Sequence, residues 1–438
     1  MLLLQILSCL SFMQSPRITL NGNTLLSADQ VNFAEECFAV FYMLFFAGLF
    51  GFGSDLSTSP IIPESVLTLL RYSTYAVTLF LLFLRPSETM KTALSNKWAL
   101  GLISIISISF LWSSDIQTTI DAIWKEILPM FCLSLYLASR FTLKQQFKLV
   151  VWALLIVFLF SVALAIGMPS IGRHTVEPFA GSWKGVFSQK NQFGAHSAMT
   201  LVSLYILANY AEKRQRWALI FLCACFAAVL VSSSITALVL SIIGLSLTIF
   251  YRRYAWLGKR SVLLGSLFIL IATSFSYLLF SNWVDILASL DKDPTLSTRT
   301  LIWHLVITSK IPASPYLGYG RGIFWNSPSL TTGFERFAYD IPAHAHNGFL
   351  DLILDVGLIG FAFFCITWFT AYVRAAKLAY SHKEAAYLWP ILFLSMLVLF
   401  NISESYLARL TSLYWVLFIA IAFSLSPKVL ASKSKLSQ

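Results

Sequence analysis

Four short stretches of this sequence gather residue types able to hold an anion or move a proton. GSWKGVFSQKNQFGAH (Gly181–His196) sets Lys184 and Lys190 on either side of a glycine-containing turn. Trp183 and Phe187 there suit a membrane interface, and Asn191 is placed to cap the helix that follows. Lysines beside a helix N-terminus make an anion site; as structure alone, the same lysines would reach toward lipid headgroups. STRTLIWHLV (Ser297–Val306) puts Arg299, Trp303 and His304 on a short amphipathic helix. YLGYGRGIFW (Tyr316–Trp325) carries Arg321, a forked donor matched to phosphate, among Gly318, Gly320 and Gly322, which let a backbone come close to a ligand. That pattern fits neither a Walker loop nor the dinucleotide fingerprint. AHAHNGFLDLILDVGLIGF (Ala343–Phe361) places His344 and His346 ahead of Asn347, a helix cap, with Asp351 and Asp355 one turn apart beyond it. A histidine titrates near neutrality and suits general-base work. The H-x-H pair could ligate a metal, but the sequence offers no evident third and fourth ligand, so no metal is expected.

Membrane-embedded helices must position these residues. Of 438 residues, 58% are hydrophobic and only 12% charged, with a mean hydropathy of +0.75; a soluble domain carries about 25% charged residues. Those figures exclude a water-soluble enzyme, a coiled coil and a disordered chain. Apolar runs near 34–54, 66–84, 97–113, 119–138, 147–167, 191–210, 217–232, 235–250, 262–280, 357–373, 385–401 and 407–426 predict an all-α polytopic membrane protein. We expect about 12 transmembrane helices in a single membrane domain over residues 1–438. Basic clusters (Arg85 to Lys97, Arg140 to Lys148, Lys213 to Arg216, Arg252 to Arg260, Arg374 to Lys383 and Lys428 to Lys435) fill alternate connections, which predicts both termini in the cytoplasm. With Arg17, 20 of the 31 lysines and arginines fall on that side. The net charge of +11 therefore calls for no nucleic acid. The six cysteines lie in apolar stretches and read as packing residues. The opening stretch, MLLLQILSCLSFMQSPR, reads as an interfacial segment, lacking the basic start of a signal peptide.

On the other face most connections are short, but residues 168–190 form a moderate loop and residues 281–346 a long one, between spans 9 and 10. Its aromatic and glycine content predicts a folded, partly helical loop that bears the chemistry. Eight basic residues lie in these loops, against the usual segregation of positive charge: Arg173, Lys184, Lys190, Lys292, Arg299, Lys310, Arg321 and Arg336. Either nearby acids such as Glu177, Asp285 and Glu335 neutralise them, or an anionic ligand does. Lys125, beside Glu126, and Arg71 lie near span ends, where snorkelling is as good a reading as function.

In this order, W-K-G-x-F-x-x-K-N-x-x-G at Trp183–Gly194, R-x-x-x-W at Arg299–Trp303, G-x-G-x-G at Gly318–Gly322, and H-N with a Leu/Asp-rich helix and G-L-I-G at His346–Gly360 resemble the O-antigen ligase and polymerase family. The first segment is most similar to its exopolysaccharide polymerase branch. The resemblance implies a metal-independent, cofactor-free, inverting glycosyltransferase of the bacterial inner membrane, with its site facing the periplasm. Its donor would be a glycan on undecaprenyl diphosphate. Its acceptor would be a sugar hydroxyl of another lipid-linked unit or of lipid A–core, with membrane lipids and polysaccharide-assembly proteins as further partners. On this analogy His346 activates the acceptor, and Arg299, Arg321, Lys184 and Lys190 hold the diphosphate. Trp183, Asn191, Trp303, Gly320, His344, Asn347 and Asp351 support them. One departure is Ile235, which stands where relatives often carry Lys or Arg.

The residues agree with such chemistry on their own terms. A diphosphate is already an activated leaving group, so the protein need supply only charge neutralisation, a base and a lipid-accessible groove. A transporter or flippase of lipid-linked sugars is the rival of another class. It would place its binding groups near the bilayer midplane, often in two related halves, and no internal repeat is found.

Overall fold

The computed structural model describes residues 28–51, 63–177, 179–210, 217–253, 299–336, 342–382, 384–409 and 412–436. Among these the chain is helical, with no strand beyond an isolated bridge between Arg173 and Trp183. Helices α1 (Ala28–Phe46), α2 (Glu64–Phe83), α3 (Pro86–Ala93) and α4 (Lys97–Ser107) are followed by α5 (Ile116–Ala122) and α6 (Leu128–Arg140). A π-helical turn, Ile123–Ile127, joins the last two. Then come α7 (Leu143–Gly167), α8 (Lys190–Tyr210), α9 (Trp217–Val231), α10 (Ile235–Arg253) and, in the long outer loop, α11 (Arg299–Leu305). The chain closes with α12 (Gly348–Ser381), α13 (Ala385–Ser403), α14 (Leu413–Ser424) and α15 (Pro427–Leu436).

Local chemistry sets the boundaries. Asn96 caps α4, Asp115 caps α5, and Thr142 with Gln145 forms a reciprocal capping box at α7. Every residue of α14 is buried, so this helix is the axis around which α6, α12 and α13 pack. Small residues allow close approach: Gly194 on α8 lies against Ala237 on α10, and Gly101 on α4 against Phe363 on α12. Outward-facing Phe80, Phe83, Ile242 and Phe369 are exposed, as a lipid-facing surface requires.

The all-α polytopic class stands, but the twelve-span count is not confirmed. Among the described residues five helices are long and apolar enough to cross a bilayer, or up to seven if two bent pairs each count as one span. The run at 119–138 is split by the π turn carrying Lys125 and Glu126, α9 has only 15 residues, and α14 meets α15 at a 77° bend. The expected span at 262–280 and the opening segment lie outside the described residues. One end of the bundle collects Arg140 on Glu35, Lys144 on Glu384, Lys148 near Glu36, and Lys433 on the carbonyls of Ala138 and Phe141. The four stretches singled out in the sequence converge at the opposite end.

Candidate active site

The site grows from a break in α12. Asn347 caps this helix, its side chain accepting from the amides of Phe349 and Leu350 at 3.1 and 3.2 Å. After Asp355 the helix is interrupted: Val356 and Gly357 leave helical geometry, with Gly357 at φ 65°. Backbone groups freed inside a membrane protein must find partners, and the long outer loop supplies them. Tyr319 N–H donates to Leu354 O (2.8 Å), Gly320 N–H to Asp355 O (3.0 Å) and Leu358 N–H to Pro315 O (2.8 Å). A Cβ on Gly357 would lie 2.1 Å from Tyr316 O, and one on Gly318 2.6 Å from Leu354 O. Gly320 would meet Ser113 in the same way. The expectation that these loop glycines open the backbone to a ligand is therefore corrected, because protein fills the space they leave.

Arg321 completes this junction. It is 3% exposed and donates to Asp355 Oδ2 at 2.9 Å and to Glu126 on the π turn. Its own amide donates to Ser109 Oγ, and the Gly322 amide to Asp355 Oδ1. Burial alone would lower the pKa of this guanidinium; the two carboxylates outweigh it and raise the value. Arg321 thus has its charge balanced within the protein.

A second network builds the histidine turn. Asp351, 1% exposed, accepts from the Ala345 amide at 3.1 Å, Trp325 Nε1 at 2.7 Å, Arg409 at 2.9 Å and the Ser405 hydroxyl. Trp303 Nε1 donates to Ala345 O at 2.8 Å. With Ala345 held at both its N–H and its C=O, His346 adopts φ 50°, a left-handed conformation rare for a side-chain-bearing residue. The His346 amide donates to His344 Nδ1 at 3.1 Å, which leaves neutral His344 with its proton on Nε2. Burial first, and then neighbouring His346, pushes His344 down to about 4.

Glu404, just beyond α13, stands behind His346. Its Oε1 accepts from Arg299 (3.1 Å) and Asn191 (3.3 Å), and Oε2 lies 3.7 Å from His346 Nδ1, an electrostatic contact beyond hydrogen-bond length. Burial would raise the Glu404 pKa; the His346 ring and the Arg299 guanidinium outweigh it and hold the value below the usual range. The His346 side chain is 33% exposed while its Nδ1 is buried, so the exposed part of the ring is its other edge. The donor atoms of His344, His346 and Glu404 lie within 4.8 Å of one another, close enough to hold a cation. Glu404 is the third ligand that sequence spacing did not offer.

A polar cavity of about 400 Å³ opens beside this turn, walled by His344, Arg321, Trp325, Gln192, Lys125 and Arg409 among others. A second, of about 220 Å³, runs inward along Phe187, His196 and Tyr406. Gln192, Ser405 and Arg409 line both.

Residues 218–365 match the family described as O-antigen ligase. The chain is 24% identical to the exopolysaccharide production protein ExoQ of Rhizobium meliloti over 47% of this chain and 50% of that protein. It is also 34% identical to a protein of Rickettsia prowazekii named as a polysaccharide ligase, over 17% of this chain and 20% of the relative. The aligned part thus spans half the length of the first relative and a fifth of the second.

The matched segment contains Arg299, Trp303, Gly320, Arg321, His344, His346, Asn347 and Asp351, and the structure gathers them with Asn191, Glu404 and Arg409 from outside it. Asn191 does not cap α8. The helix begins at Lys190, whose amide donates to His174 Nε2, and the Asn191 side chain turns to Glu404 and Ser234 instead. Lys190 Nζ reaches Ser233 O at 3.3 Å and lies 4.4 Å over the Phe179 ring. Lys184 stays with the bridge formed by Trp183 and Arg173, its amide bonded to Gly172 O. Sequence reasoning missed Glu404 and Arg409 as members of the site. Their signal was NISESYLARL, a polar connection carrying charge between two strongly apolar runs.

Proposed function

We propose that this protein is a glycosyltransferase acting on the extracytoplasmic side of the bacterial inner membrane. It would move a glycan from a polyprenyl diphosphate, undecaprenyl diphosphate in bacteria, to a sugar hydroxyl with inversion at the anomeric carbon. His346 accepts the acceptor hydroxyl proton on Nε2 as the oxygen attacks. The anomeric C–O bond to the diphosphate breaks on the opposite face, and the lipid diphosphate departs with the electron pair. Glu404 faces Nδ1 and stabilises the imidazolium that forms. His344, neutral with its proton on Nε2, donates a hydrogen bond into the cavity. Arg409, which lines both cavities, would face the departing charge, with Arg299, Lys190 and Lys184 proposed to act around it. Arg321 acts as the strut that holds the loop.

The observation that carries this reading is the strained His346 backbone, clamped through Ala345, which aims one ring nitrogen at a buried carboxylate and leaves the other edge exposed. The scheme uses the His346 ring as its base and routes no step through a metal. Repeat-unit polymerisation follows the likeness to ExoQ, and glycan attachment to lipid A–core follows the likeness to the protein named as a ligase. Purified protein with defined undecaprenyl-diphosphate glycans and each acceptor tests both. His346→Ala should lower transfer at least about 10²-fold while the protein still inserts and folds. Wild-type product length from that variant would reject the base assignment.

A further inference from the structure

At the end of the bundle away from the site, α1 and α7 face each other across a cleft of about 260 Å³. Phe33, Cys37, Val40 and Leu44 recur at helical spacing on α1, and Leu149, Trp152 and Ile156 do so on α7. These stripes make an almost wholly apolar wall about 12 Å long on the α7 side, from Lys148 to Ile156. Trp152 stacks on Trp217 with ring centroids 5.8 Å apart, the residue type that marks the headgroup level of a bilayer. Only Glu36 and Lys148 bring charge to the cleft, and both sit at its basic end. Their separation is 3.8 Å, with side chains 20% and 42% exposed, whereas neighbouring Lys144 and Glu384 close to 2.6 Å. The Glu36–Lys148 pair is thus loose enough for a ligand to divide it.

We propose that this cleft binds one zwitterionic phospholipid with a primary-ammonium headgroup. An acyl chain lies between the two stripes, the phosphate sits on Lys148, and the ammonium donates to Glu36. The charges choose the headgroup. An anionic lipid satisfies Lys148 but leaves Glu36 facing like charge. A choline lipid carries a positive charge with no N–H to give the carboxylate. The ethanolamine headgroup matches both.

The test uses the full-length protein in nanodiscs containing equal parts phosphatidylethanolamine, phosphatidylglycerol and phosphatidylcholine, followed by native mass spectrometry after mild extraction. One phosphatidylethanolamine should remain per chain, favoured about tenfold over the other two. Glu36→Gln should erase its advantage over phosphatidylcholine while lipid is still retained. Lys148→Gln should lower retention of all three, and Val40→Trp, by filling the cleft, should remove the bound lipid. Equal retention of the three headgroups, no retained lipid, or a lipid-free dimer closed over α1 and α7 would each overturn the assignment. Glu36 and Lys148 lie far from the histidine turn, so transferase failure and lipid-site failure are read separately.

Discussion

Replacing Asp351 with asparagine isolates what the buried carboxylate does for the histidine turn. Asparagine keeps the shape and one acceptor oxygen, so the donors on Oδ1, Trp325 Nε1 at 2.7 Å and the Ala345 amide at 3.1 Å, can stay. At the Oδ2 position the new amide can donate to Ser405, whose hydroxyl accepts as readily as it donates. What disappears is the negative charge opposite Arg409, now 2.9 Å from Oδ1 with 21% of its side chain exposed. Charge-assisted bonds contribute about 1.5–3 kcal/mol, and leaving a buried charge unpaired costs somewhat more. A local cost of about 2–3 kcal/mol falls on the Ala343–His346 turn, enough to deplete its closed form by up to about 10²-fold. Reconstituted protein should show kcat/KM for glycan transfer reduced by that order, with most of its thermal stability kept. Arg409→Gln in the same background should restore order to the Ala343–His346 turn, read as renewed amide-exchange protection, but not transfer, because Arg409 also faces the donor. A folded Asp351→Asn protein that transfers at the wild-type rate would refute the view that this carboxylate positions His346.

Arg321→Ala strands Glu126 and Asp355 in a buried junction, so it should destabilise the protein by about 3–5 kcal/mol; thermal melts should register this more than any selective change in donor KM. Gly357→Ala, at φ 65° with its new Cβ 2.1 Å from Tyr316 O, should detach the loop from α12 and raise proteolysis between residues 299 and 336. Acid should weaken the fold through His344. Its pKa is about 4 when folded against an ordinary 6.5, so the unfolded chain binds more protons between those values. Stability is therefore full above about pH 6.5 and falls as pH drops toward 4, and His344→Gln should flatten the melting-temperature profile across that window.

The membrane class was legible because apolar runs carry information locally, and the four polar stretches stood out by their charges among apolar sequence. The Asn347 cap was equally plain: one side chain, acting on the amides just after it. The span count was not, because Lys125 and Glu126 sit in a run whose average hydropathy hides a π turn. Arg321 looked like a phosphate ligand because its nearest acids in sequence are distant, whereas Asp355 and Glu126 reach it only through tertiary packing. Asn191 misled for a related reason. Its residue type favours a cap, yet a buried carboxylate more than two hundred residues away, Glu404, competes for its amide.

The residues at 404–409 reach the histidine turn from the connection between α13 and α14, later in the sequence than the rest of that turn. Until Glu404 and Arg409 arrive, His346 lacks the carboxylate that faces its Nδ1 and Asp351 lacks the Arg409 guanidinium. On the proposed reading, a nascent or truncated protein that has already threaded its earlier segments through the bilayer would hold an unfinished histidine turn and stay inactive.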